Sequence, residues 1–377
     1  MNTSRIKLLV ILFAVLPFLS INGQITFQKS FGGTGSEEAF AGHQTFDGGY
    51  ITAGNSYAGP NGECIVLIKT NSFGDTTWTK AYTSWDIPYG FDMKQCPDSG
   101  FIIGGTSYGA MTGEDIYIIK TDSVGNVIWA KSFGGQYTER CHSIIPTKDG
   151  NYICTGYRVD FGTYYDAFLM KISSTGNIIW TKSYGGSGGR NGYAIDTTND
   201  GGYIVTGTID TVGPGEGAAF LMRTDSIGNL LWSKAFTGNH DSNGYSVKQT
   251  SDGGFIFTGE TYVTNGPNGV IDHIYLVKTD SNGNMLWSKM YGGPNNDIGF
   301  SVIETTDSGF LISGFTNSFV GNGLWTSNLF LLKTDNLGLI SWCKYYGGNL
   351  NSNDHGNCVE QTADGGYTVA GRTSDAW

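Results

Sequence analysis

An all-β ring built from seven copies of a four-stranded unit is predicted by three observations. The first is a tryptophan marker at Trp78, Trp129, Trp180, Trp232, Trp287 and Trp342, with Phe27 in the same place at the start. The second is a turn marker, "DGGY" and its variants, at Asp47, Asp98, Asp149, Asp200, Asp252, Asp307 and Asp364. The third is the spacing: successive tryptophans lie 51, 51, 52, 55 and 55 residues apart. Self-similarity at a fixed period near 50 residues marks a repeat fold, in which each unit buries its apolar surface against its neighbours. Four short strands per unit make it a propeller blade. The fold class is therefore all-β: a β-propeller of seven four-stranded antiparallel blades, the last incomplete at the C-terminus.

The N-terminal segment comes first. Arg5 and Lys7 precede an apolar run from Leu8 to Leu19, and small and polar residues follow up to Gln24. That order is the order of a secretory signal. A run of 12 residues falls short of the roughly 20 a membrane-crossing helix needs, and no cysteine follows it to carry a lipid. Residues 1–23 are read as a signal peptide cleaved near Gly23–Gln24, leaving 354 residues, secreted or held at the cell surface. Loss of Arg5 and Lys7 moves the formal charge from −11 to −13. An acidic chain without a Lys/Arg cluster suits neither nucleic acid nor an anionic membrane. A monomer without a transmembrane segment is expected.

The propeller is expected over 24–377, with units at about 30–79, 80–130, 131–181, 182–233, 234–288 and 289–343 and a partial unit at 344–377 closed by strand 24–29. In unit three, "RCHSIIPT" turns through "KDGN" into "YICTG"; "DAFLMK" then turns through "ISSTGN" into "IIWTKSY". Second and third strands are near-continuous apolar runs, as expected where neighbouring blades cover both sheet faces. The 58 glycines sit largely in turns that need positive φ, and the turn Asp or Asn bonds its own backbone. Eight residues before each turn aspartate stands a small residue, Ala39, Gly90, Cys141, Gly192, Gly244, Gly299 or Gly356. Size alone places them where first strands crowd the axis.

Length variation is confined. From marker tryptophan (or Phe27) to the next turn aspartate the distance is 20, six times over, and 22 only from Trp342 to Asp364. From the third-strand Lys or Arg to the tryptophan it is always 9; from the second-strand glycine to that basic residue it runs 15, 15, 15, 16, 19 and 19. Every insertion therefore falls in the second-to-third loop or between blades. Both emerge on one face, and variable loops on a fixed scaffold are where binding resides.

The pattern "DGGYIVAG…D.YLIKTD..GN.LW.K.YGG" resembles the repeats of secreted bacterial β-propeller-repeat proteins, over essentially all of 24–377. The resemblance implies a surface or extracellular role. Such proteins often end in a type IX secretion sorting domain; here the sequence reaches "SDAW" where a third strand should begin, and a longer gene product is expected. The same turn through tryptophan also resembles the docking motif of quinoprotein dehydrogenase propellers, where it is structural. No unpaired acid cluster and no adjacent cysteine pair accompany it, so no cofactor is assigned.

Candidate chemistry is sparse. Asp280, Asn282 and Asn284 alternate as in a calcium loop, but the apolar strand "MLW" stands where a bidentate acid is needed, so a hairpin is read there. His43, His142, His240, His273 and His355 occupy different repeat positions, and Asp354, His355 and Cys358 form the tightest cluster; no metal site is assigned. Cys141 and Cys154 are placed where paired strands of one hairpin could make them neighbours, with bridged and free states both open. No nucleophile elbow or phosphate loop is present, so no catalytic residue is named. The loop-bearing face carries Trp85, Tyr108, Tyr164, Tyr262 and Trp325 among amide-rich loops, a combination suited to sugars or to a protein surface. The leading expectation is a secreted, non-catalytic binding or adhesion module for a glycan or surface protein. The alternative is an extracellular enzyme, either a quinoprotein-like oxidoreductase or a glycan-acting hydrolase.

Overall fold

The computed structural model describes residues 7–13, 27–32, 36–59, 62–84, 87–109, 113–159, 164–186, 188–210, 217–238, 240–264, 269–319, 326–347 and 352–374. Every regular element among the described residues is a strand, so no helix is long and apolar enough to cross a membrane. Blade three shows the unit. Strands Glu139–Pro146, Tyr152–Val159, Tyr165–Ile172 and Ile178–Tyr184 pair antiparallel in that order. The middle two are buried on both faces, whereas the fourth alternates between exposed and half-buried residues. Runs of Ile, Val, Leu and Phe form strands two and three because each blade is walled by its neighbours. The fourth strand is the rim.

The expectation of seven four-stranded blades with the last incomplete is corrected. The propeller has six blades of four consecutive strands: Glu37–Tyr82, Ile87–Phe133, Glu139–Tyr184, Arg190–Phe236, Ser242–Tyr291 and Asp297–Tyr346. The remaining strands form no further blade of four consecutive strands. His355–Gln361 and Tyr367–Thr373 from one end join Lys7–Phe13 and Gln28–Phe31 from the other in a closing sheet of mixed origin. The repeat pattern counts only segments that look alike, and Lys7–Phe13, which lies in the third-strand place, carries none of the repeat markers.

Adjacent blades are pinned at the rim. The Trp180 ring lies against Gly228 in the outer hairpin of the next blade, where an added Cβ would fall 2.8 Å from the indole. It also meets Tyr203 of that blade at a centroid distance of 6.4 Å. Trp78, Trp129, Trp232 and Trp287 repeat both contacts. At the seam Phe27 takes the same place, against Gly74 and 5.5 Å from Tyr50. Between neighbouring blades the Tyr184 hydroxyl donates to the Gly228 carbonyl at 2.6 Å, and Tyr82 and Tyr291 do the same. Burying such a ring contributes about 1.5–3 kcal/mol.

A second recurrent contact ties the third strand to the inner turn. In all six blades its basic residue, buried except for the half-buried Arg223, reaches the turn aspartate: Lys69 to Asp47 (2.9 Å), Lys120 to Asp98 (2.8 Å), Lys171 to Asp149 (3.1 Å), Arg223 to Asp200, Lys278 to Asp252 (2.8 Å) and Lys333 to Asp307 (3.0 Å). The two glycines of "DGG" divide the work. Gly48 has φ +78°. At Gly49, Gly100, Gly254 and Gly309 an added Cβ would lie 2.1–2.2 Å from a third-strand carbonyl and 2.2–2.6 Å from the ammonium. In blade three Asn151 takes this position, and Lys171 still reaches Asp149.

Candidate binding site on the axis

The first strand of every sheet carries the same bulge. It falls between Ala39 and Ala41, Gly90 and Asp92, Cys141 and Ser143, Gly192 and Ala194, Gly244 and Ser246, Gly299 and Ser301, and Gly356 and Cys358. A bulge leaves one residue unpaired and re-aims its side chain. Those residues are Phe40, Phe91, His142, Tyr193, Tyr245, Phe300 and Asn357, all half-buried where the residue just before each is buried. Phe91 meets His142 at 5.2 Å, and His142 stacks on Tyr193 at 5.2 Å and 17°. Tyr193 meets Tyr245 at 5.4 Å, and Tyr245 meets Phe300 at 5.8 Å. The result is an aromatic collar, interrupted at the closing sheet by Asn357, whose amide donates to the Ala39 carbonyl at 2.8 Å.

The small residues thus have a different role from the one expected of them. They pack against the preceding blade rather than at the axis. A Cβ on Gly90 would strike the Phe40 ring at 2.5 Å, one on Gly192 the Thr155 hydroxyl at 2.6 Å, and one on Gly299 the Thr258 hydroxyl at 2.6 Å. Sequence reasoning missed the collar although its signal was present: a bulky residue follows the small one in six of seven positions.

Beyond the collar, toward the turn face, a cavity of about 210 Å³ continues along the axis and is lined by charge. Lys94 contacts Asp92 at 2.7 Å, Lys248 faces Asp196 at 3.7 Å, and His43 faces Glu360 at 3.6 Å. Asp92 also accepts from the Ser143 hydroxyl at 2.8 Å and the Ile144 amide at 3.0 Å. Burial pushes the Asp92 carboxyl up, but Lys94 and these donors outweigh it and hold it below the ordinary value. Burial likewise acts against the Lys94 charge, and Asp92 more than offsets it. Burial brings the His142 imidazole down to about 4, so the collar ring is neutral at pH 7. The axis thus offers stacking faces beside fixed polar groups, with Asp92 and Asp196 each faced by a lysine.

The loop-face residues singled out from sequence are dispersed. Tyr108 is 38% exposed with its hydroxyl 3.4 Å from Arg140, which is ion-paired to Glu114. Tyr164 is 54% exposed; its neighbour Tyr165 packs edge-on to Tyr157 at 4.9 Å, and Tyr157 meets His142 at 5.5 Å. One line of rings therefore runs from that face to the collar. Tyr262 is half-buried in blade five, away from these, its amide bonded to the Asp241 carbonyl at 2.9 Å. Trp85 and Trp325 lie outside the described residues, as do the insertion loops 160–163, 211–216, 265–268 and 320–325. Near Tyr262 stand two acids. Glu260 accepts from Tyr245 and Asn243, each at 2.7 Å, and Asp272 is raised to about 6 by burial and then by the Glu260 charge.

The remaining motifs resolve into structure. Asp280 accepts from the Asn282 amide at 2.9 Å and from the Asn284 amide and side chain at 2.8 Å, which is a hairpin. His355 stacks on Phe315 at 4.4 Å and bonds the Ser327 hydroxyl at 3.0 Å, while Cys358 bonds the Gly42 carbonyl at 3.5 Å. No group of three or more His, Cys, Asp or Glu suited to a metal exists among the described residues. Cys141 and Cys154 lie in one core cluster on paired strands, and both are free. A hydrogen bond with Cys154 and burial push the Cys141 thiol well up.

No family and no curated protein matches this sequence. Solved structures match its fold. A protein of unknown function from Dyadobacter fermentans DSM 18053 gives a TM-score of 0.50 at 12% identity, over 75% of this chain and 91% of its own. A puromycin hydrolase mutant complexed with PGG gives 0.54 at 9% identity, over 92% of this chain and 53% of its own. The chain thus spans about half of that hydrolase. At such identities the likeness is one of fold: this protein is a β-propeller of repeated blades.

Proposed function

We propose that this chain is a secreted, non-catalytic binding or adhesion module, displayed outside the cell, with a glycan as its ligand. The observation that carries the reading is the collar of bulged rings directly beside a layer of fixed charges. The C–H faces of a pyranose stack on rings such as Tyr193 and Tyr245, while its hydroxyls need donors and acceptors held in place. Lys94, Asp92, Lys248 and Glu360 supply these. The N-terminal pattern and the resemblance to secreted bacterial propeller-repeat proteins support export, with cleavage near Gly23–Gln24 and function as a monomer. A glycan array tests the reading. Tyr193→Ala and Tyr245→Ala should each cut the best signal at least tenfold, while Tyr164→Ala and Tyr262→Ala measure how far the loop face takes part. Binding unchanged in both collar variants would sink the axial site.

One observation favours a second reading, a glycan-acting hydrolase. Asp272, raised to about 6 beside Glu260, has the properties of a general acid near neutral pH. Release of reducing ends from a polysaccharide panel, abolished in Asp272→Asn, would establish that reading in place of the first.

A further inference from the structure

Blade three departs from its sisters on the turn face. Asn151 stands where every other copy of the inner turn has its second glycine, and Lys148, one residue before the turn aspartate, is the one basic residue at that position. The first change has a direct consequence. In blades one, two, five and six the ammonium donates to the last carbonyl of its own strand, from Lys69 to Thr70 (2.9 Å), Lys120 to Thr121 (2.7 Å), Lys278 to Thr279 (3.0 Å) and Lys333 to Thr334 (2.8 Å). A Cβ in place of the glycine would crowd that ammonium. Beside Asn151, Lys171 donates instead to the Thr147 hydroxyl at 3.0 Å and to the Tyr203 hydroxyl of blade four at 2.9 Å. Tyr203 is only 2% exposed, and among the described residues nothing accepts the proton of its own hydroxyl.

A cavity of about 450 Å³ opens at this point, between the inner turn of blade three and blade four. Ile179, Trp180 and Ile227 give it apolar walls, and the charged residues of its lining are Lys148, Lys171 and Asp149. Asp149 holds Lys171, whereas Lys148 is exposed and makes no ion pair among the described residues. Inner turn, third-strand cation and outer hairpin of blade three thus carry two lysines against one aspartate. Each other blade carries one basic residue against two aspartates, the second being Asp75, Asp122, Asp225, Asp280 or Asp335. The local charge is therefore reversed in sign at one cleft of a chain whose net charge is −11. We propose that this cleft binds a carboxylate with a flat apolar body, a bicyclic aromatic acid. Its carboxylate accepts from the Lys148 ammonium and the Tyr203 hydroxyl, and its rings meet the apolar walls. A buried hydroxyl without an acceptor favours a ligand that supplies one, and a cavity of this size takes a small organic molecule. The site is separate from the axial one and does not rest on it.

Isothermal titration of the full chain with naphthoate, and with naphthamide as its uncharged counterpart, tests the site. Naphthoate should bind about tenfold more tightly, the smaller end of what a charged hydrogen bond contributes. Lys148→Ser places at the turn the residue that blade five has there, Ser251, so the fold should be kept. It should weaken naphthoate about tenfold and change naphthamide less than about twofold. Tyr203→Phe keeps the ring and should weaken naphthoate about fivefold, the ordinary worth of one hydrogen bond. Equal binding of the two probes, or binding of neither, overturns the site. So does an undiminished preference for naphthoate in Lys148→Ser. Glucuronate binding as tightly as naphthoate overturns the aromatic body.

Discussion

In blade five the carboxylate of Asp252 holds the buried ammonium of Lys278 at 2.8 Å, whereas in the closing sheet Asp364 bonds, among the described residues, the Thr362 hydroxyl and the Gly366 amide. The two turns are otherwise alike. In both, Thr and Gly donors close the loop on one aspartate oxygen. The turn thus forms without a cation, and the ion pair is an additional latch that fixes a third strand to it. Six blades use that latch on strands supplied by the local chain. In the closing sheet, whose third strand comes from the far end of the sequence, Leu12 stands at the position the basic residue takes elsewhere.

That comparison can be broken at several points. The largest effect is expected at the rim contact that both regions share. Trp180→Ala should destabilise by about 3–4 kcal/mol, near the lower end for removal of a large ring because the indole is only half-buried. Phe27→Ala at the seam should cost less, since a smaller ring is lost; equal losses in urea melts would show that closure magnifies the seam contact. Next comes the latch. Asp252→Ala strands a buried ammonium and should cost about 2–3 kcal/mol, below the range for fully buried pairs because the carboxylate is 58% exposed. Asp364→Ala, with no ammonium to strand, should cost about 1 kcal/mol, the worth of its turn hydrogen bonds. A similar loss in both would erase the distinction between the two regions.

Smaller effects sharpen it. Gly228→Ala combines an unfavourable φ of +77° with a 2.8 Å approach to Trp180 and should cost about 2 kcal/mol, against about 1 kcal/mol for Gly253→Ala, where φ is +81° and the space is open. Thermal melts of the pair separate backbone strain from blade contact. The smallest effect is on pH. Burial pushes the Asp47 and Asp252 carboxyls up, but hydrogen bonds from their threonines and lysines prevail and hold both near 2. A carboxyl lower in the folded than in the unfolded chain adds stability that is fully present above about pH 4 and lost as pH falls toward 2. Lys278→Met should flatten the Asp252 part of that acid slope; an unchanged slope would remove the latch as its origin.

Much of the architecture was legible because repetition amplifies weak signals. The tryptophan, the turn aspartate and the third-strand lysine each recur at fixed intervals, so strand order, hairpins and rim could be read without any contact information. Their pairing could not. Asp47 and Lys69 served as separate markers of register, and only the folded sheet shows that they touch. The same holds for the small residues before each bulge. Size suggested crowding at the axis, but a one-residue bulge turns the next side chain inward and leaves the small one against the preceding blade.

The sequence by itself determined the four-strand unit, the turn chemistry and the confinement of insertions to one face, since these follow from local φ requirements and from apolar period. Tertiary structure decided the rest. Closure by Lys7–Phe13 depends on backbone pairing, which reads no side-chain motif. The axial collar depends on seven distant bulges converging on one axis, a relation between residues about 50 positions apart that no local pattern encodes.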